Sequence, residues 1–141
     1  MEEGKRHHFR DLLCWRKGRE LRKKLYEIAK ILPPIERYGL CNQLRRAAVS
    51  ITANIAEGFG RFHFLENIQF CRQSRASIYE CEDPLITCVD EKYITQEKFK
   101  QLMFLIIEER KILDGYIKYL LKESKKEVNN KKAVYQSRQE T

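Results

Sequence analysis

Apolar residues recur along this chain at alternating steps of four and three, the spacing that gathers side chains on one face of a helix. Cys14, Gly18, Leu21, Leu25, Ile28 and Leu32 form the first such stripe and predict a helix over 11–32, with Asp11 as its N-cap and Trp15 flanking the seam. Gly18 costs helix propensity where it stands, which points to a close helix approach there. Pro33-Pro34 then stops the helix, since proline cannot donate the next backbone bond.

A second stripe runs through Leu40, Leu44, Ala47, Ala48, Ile51 and Ile55 and ends at Gly58-Phe59-Gly60. Its alanines keep that helix thin enough for a neighbour to pack closely. The third helix is expected over 64–90, where Phe64, Cys71, Ile78 and Leu85 repeat every seven residues beside the small row Ser74, Cys81 and Cys88. Pro84 inside it predicts a kink or a break. Thr95 caps the fourth, with Glu97 in its first turn and Phe99, Leu102, Ile106, Leu113, Tyr116, Ile117 and Leu120 facing inward.

These elements predict an all-α protein, an antiparallel up-down-up-down four-helix bundle over 11–123. Residues 1–10 read as a flexible N-terminus. Residues 124–141 read as a basic polar tail, disordered unless a partner orders it. No strand-like alternation, phosphate-binding glycine loop or internal repeat is present.

Composition changes this picture mainly through charge. The 141 residues carry 28 Lys plus Arg against 20 Asp plus Glu, a formal net charge of +8. Such an excess favours nucleic acid, anionic membranes or acidic proteins as partners. The absence of a long apolar run or of an apolar leader argues for a cytoplasmic protein with no membrane role. The five cysteines (Cys14, Cys41, Cys71, Cys81 and Cys88) contain no C-x-x-C pair, so free buried thiols are expected rather than a disulfide framework or a zinc site. His7, His8 and His63 form no metal or triad constellation, so an enzyme, a cofactor and a metal are not expected.

Two features rise above that background. The outer face of the first helix carries Arg16, Lys17, Arg19, Arg22, Lys23, Lys24 and Lys30 against only Glu20 and Glu27, a stripe able to neutralise several phosphates. The alternative is a solvated face that serves solubility. The second feature is the stretch 38–61, whose polar residues exceed what apolar spacing alone requires. Arg46, Ser50, Asn54 and Glu57, with Arg75 and Glu80 from the third helix, suggest a buried polar network holding two helices in register. Arg45 and Arg61 are assigned to a partner-facing role beside the first helix's cations.

The same stretch resembles a known family. Tyr38-Gly39-Leu40, Gln43, Arg45-Arg46-Ala47-Ala48, Ser50-Ile51 and the run from Asn54 through Arg61 are similar to the hallmark of the bacterial four helix bundle proteins. These are also described as proteins encoded in intervening sequences of 23S ribosomal RNA genes. Phe9-Arg10-Asp11-Leu12 with Trp15, the Glu80 region, Tyr93-Ile94 and Leu113-Asp114-Gly115 through Tyr119-Leu120 match further landmarks, so the resemblance covers 9–121. It implies a ring-like homo-oligomer, typically a homopentamer. It also implies kinship with the accessory variability determinant of diversity-generating retroelements, which binds a reverse transcriptase and nucleic acid. Pro84, Thr52-Ala53 and the basic tail depart from the pattern.

The resulting expectation is a non-enzymatic, RNA-binding or other nucleic-acid-binding homo-oligomer. Its alternatives are a scaffold for a reverse transcriptase or another protein partner, and a bundle with a small-molecule cavity.

Overall fold

The computed structural model describes residues 8–140 and contains four long helices with no strand among them. Helix α1 spans Leu13–Ile31, α2 Leu40–Phe59, α3 Phe64–Asp90 and α4 Gln96–Gln139. Short 3-10 turns at Phe9–Asp11 and Pro34–Glu36 precede α1 and α2. Each helix packs on two others, α1 on α2, α2 on α3, α3 on α4 and α4 back on α1. That closed cycle encloses one core, built from Leu21, Leu25, Leu44, Ile51, Ile55, Ile68, Ile78, Leu85, Leu102, Ile106 and Leu113. Burying each such side chain contributes about 1.5–3 kcal/mol, which is why the four stripes close on one another.

The start of the bundle differs from the sequence expectation. Asp11 does not cap α1. Its carboxylate accepts the His8 backbone N–H at 3.2 Å, while His8 Nδ1 accepts the Arg10 N–H at 3.1 Å. This capping box closes the Phe9–Asp11 turn, and the first position of α1 falls after buried Leu12. Phe9 packs against Trp15 with the rings tilted at 58° and their centroids 5.3 Å apart, so Phe9 and Arg10, inside the segment expected to be flexible, are part of the folded bundle. The rest of that segment, 1–7 with His7, lies outside the described residues, as does Thr141.

Pro84 does not divide α3, which is one helix from Phe64 to Asp90. The ring withdraws a single N–H, and the matching carbonyl belongs to Glu80 on the exposed side. Pro84 itself is buried between buried Cys81 and Leu85, so core packing holds the turn together.

The tail is the larger correction. Where disorder is expected from 124, α4 continues to Gln139, and every residue from Val128 to Glu140 is exposed. Local charge spacing supports it. Lys126 pairs with Glu123 at 3.2 Å and Lys131 with Glu127 at 3.1 Å, both one turn apart. Low hydrophobicity argues against a packed core but not against a charged helix, and that distinction is what the compositional reading passed over.

Candidate nucleic-acid interface

The outward face of α1 follows from its inward one. With Cys14, Gly18, Leu21, Leu25 and Ile28 buried, positions seven apart on the opposite side drift only about 20° per step, so Arg16, Lys23 and Lys30 stand in line. Arg19 lies beside them, its guanidinium 5.9 Å from the centre of the Trp15 ring. All four cations are exposed, and none has an acidic partner among the described residues.

The other three predicted cations of this helix do not join that line. Lys17 reaches Glu108 on α4 and Glu20 on its own helix, both at 3.4 Å. Arg22 turns towards α2 and donates to Thr52 Oγ1 at 3.4 Å. Lys24 pairs with Glu27 at 3.8 Å. The seven-residue stripe is therefore a four-cation line with Lys17, Arg22 and Lys24 engaged at its flanks. The heptad drift decides this, and a list of charges without angles cannot show it.

Arg45 and Arg61 separate. Arg45, in the second turn of α2, lies 5.4 Å from the Tyr26 ring centre and so borders the α1 line. Arg61 is beyond the far end of α2, paired with Glu57 at 2.9 Å and lying over Phe70. It is remote in sequence register from the α1 cations and satisfied locally.

The expected polar network is smaller than its six residues. Asn54 donates to the Ser50 carbonyl and hydroxyl, both at 2.9 Å, and the Ser50 and Ser77 hydroxyls are 2.9 Å apart, joining α2 to α3. Ser74, unnamed by the sequence reading as a polar partner, donates to the Ile51 carbonyl at 2.7 Å and is fully buried. Arg75 instead pairs with Asp114 of α4 at 2.9 Å. Glu57 is exposed beside Arg61, while Arg46 and Glu80 line an open cleft of about 510 Å³ with Ser50 and Tyr38. α2 and α3 approach closely at Gly58, where an added Cβ would stand 2.6 Å from Asn67 Oδ1.

One charged residue escaped the sequence reading altogether. Glu109 is 1% exposed, and neither carboxylate oxygen has a hydrogen-bond partner among the described residues. Burial, with the nearby Glu108 and Glu20 carboxylates adding to it and Lys17 opposing, pushes its pKa up to about 9. The signal was present in the sequence, because Glu109 falls in step with Ile106 and Leu113 on the inward stripe of α4. All five cysteines are free, four of them buried. Burial pushes the Cys71 and Cys81 thiols up to about 12, which makes them inert at neutral pH.

The described residues thus define a four-helix bundle with one unpaired cationic line on its first helix. The profile of the 23S rRNA-intervening sequence proteins matches residues 10–115, and the chain belongs to that family. Among solved structures it is similar to a protein of unknown function from the S23 ribosomal protein family of Bacteroides thetaiotaomicron. That likeness has a TM-score of 0.70 at 23% identity and covers 75% of this chain and 99% of the other. No characterised protein in the curated collections matches. No helix among the described residues is long and apolar enough to cross a membrane.

Proposed function

We propose that this chain is a non-enzymatic, basic, homo-oligomeric four-helix bundle, a pentameric ring of up-down-up-down subunits, that binds RNA or other nucleic acid. The observation that carries this reading is the line of Arg16, Arg19, Lys23 and Lys30, exposed and without acidic partners among the described residues. Cations held in ion pairs release little on meeting a phosphate. Unpaired ones displace condensed counterions and gain affinity at low salt. Repetition around a ring turns a weak single stripe into a multivalent field. The short connections between helices that pack in a closed cycle support the up-down order.

A second reading, a scaffold for a reverse transcriptase or another protein, is favoured by exposed apolar residues. Phe62 is 95% exposed and Phe104 68%. The same side chains suit contacts between subunits.

Salt-dependent RNA retention by the protein, compared with an Arg16→Glu, Arg19→Glu, Lys23→Glu variant, separates the two. Loss of retention in the variant is the expected result. Retention unchanged by the three reversals would refute the α1 interface.

A further inference from the structure

At the end of α1 the cationic line runs into a cleft of about 490 Å³, framed by the last turns of α1, the Pro33-Pro34 turn and the start of α2. Its apolar wall includes Tyr26, Pro33 and half-buried Cys41, and its cations are Lys30, Arg37 and Arg45. No carboxylate lines it.

Both guanidinium groups of the cleft lie beside aromatic rings. Arg45 lies over Tyr26 and Arg37 over Tyr38, each 5.4 Å from the ring centre. Neither these arginines nor Lys30 forms an ion pair among the described residues. A guanidinium lying over an aromatic ring, with no carboxylate partner, keeps its N–H donors available for bidentate capture of a phosphate. The volume falls within the roughly 300–1,000 Å³ of small-ligand sites, and an apolar floor under a cationic rim asks for an anion with a flat, apolar body.

We propose that this cleft receives one unstacked nucleotide of a single-stranded RNA, with its phosphate on Arg37 and Arg45 and its base against the apolar wall at Pro33 and Cys41. The inference rests on the nucleic-acid reading above and deepens it. Lys30 belongs both to the cleft and to the α1 line, so a strand seated in the cleft can continue over Lys23 and Arg19 to Arg16. That run is about 21 Å at 1.5 Å per residue. A duplex keeps its bases stacked inside and offers the cleft no base, so only a single strand uses both features.

The test uses the full-length protein, a 12-nucleotide oligouridylate, a duplex RNA of equal length and uridine monophosphate, with anisotropy and competition as readouts. An Arg37→Ala, Arg45→Ala variant serves as the probe, since both side chains are exposed and its fold can be checked by circular dichroism. The single strand is expected to bind about tenfold or more tighter than the duplex, and the variant to lose that preference, its single-strand affinity falling about tenfold further than its duplex affinity. Nucleic-acid binding with no preference for the single strand, or a preference untouched in the variant, overturns the cleft and leaves the α1 reading standing. Uridine monophosphate binding as tightly as the oligomer, and lost in the same variant, assigns the cleft to free nucleotides and overturns the strand. Binding of none of the three ligands overturns both readings.

Discussion

Gly18 of α1 and Glu109 of α4 share one space in the core: a Cβ built at Gly18 would stand 2.5 Å from Glu109 Oε2 and 3.2 Å from Thr52 Cγ2. The absence of a side chain on α1 is what admits a full carboxyl side chain from α4. Gly18→Ala is therefore expected to destabilise by about 1–3 kcal/mol, despite alanine's better helix propensity. In a Glu109→Ala background the same change should cost clearly less, because the clashing group is gone. Urea midpoints of the two single variants and the double variant measure that coupling. Strict additivity would contradict the shared space.

The same carboxyl makes stability depend on pH in a defined direction. Glu109 titrates at about 9 in the fold against an ordinary value of 4.5, so it is protonated in the folded chain at neutral pH. Below 4.5 both states hold the proton and the group adds no pH dependence. As pH rises from there towards about 9 the unfolded chain releases the proton first and gains, so stability falls. The slope is at most about 1.4 kcal/mol per pH unit. Glu109→Gln removes this dependence. The variant should gain on the wild type between pH 5 and pH 8 in urea midpoints, roughly as that slope requires. Parallel pH profiles would show that Glu109 is ionised in the fold.

Pairing decides which α1 cations matter for a polyanion. Arg16→Ala and Lys23→Ala should each lower the salt slope of RNA binding by about 1. Lys17→Ala and Lys24→Ala should leave it nearly unchanged, because both ammonium groups already face carboxylates. Equal effects at all four positions would mean that the ion pairs open on binding.

The projecting end of α4 is held by local interactions. Isolated helices of this length are marginal in water, and Val128 to Glu140 bury nothing. Amides there should exchange far faster than those around Ile106 and Leu113, as read by hydrogen exchange. Truncation after Glu123 should leave the melting temperature of the bundle within about 2 °C. Protection of the tail equal to that of the core would reveal a partner surface covering it.

Much of the helix core was readable because burial imposes a period. The stripes from Cys14 to Ile28 and from Leu44 to Ile55 are the ones the core uses. Glu109 was missed because hydropathy was counted where register should have been, and a carboxyl in step with Ile106 and Leu113 is as buried as they are. The cationic face was legible as composition. Its division into the engaged Lys17, Arg22 and Lys24 and the unpaired Arg16, Lys23 and Lys30 depends partly on where Glu108 and Thr52 arrive from other helices, to meet Lys17 and Arg22, and partly on Glu27, one turn along α1 from Lys24. Arg75 shows the same limit. It was expected in a buried network between α2 and α3, whereas its partner Asp114 lies 39 residues away on α4 and leaves the pair half-exposed.

The most direct test of an oligomeric, nucleic-acid-binding bundle is the light-scattering mass of the purified protein at low and high salt, with absorbance at 260 nm followed across the peak. The expected result is a species several times the 16.9 kDa chain mass, five times for a pentamer, that carries nucleic acid at low salt and sheds it at high salt. A clean monomer without nucleic acid at either salt concentration would contradict both the ring and its ligand.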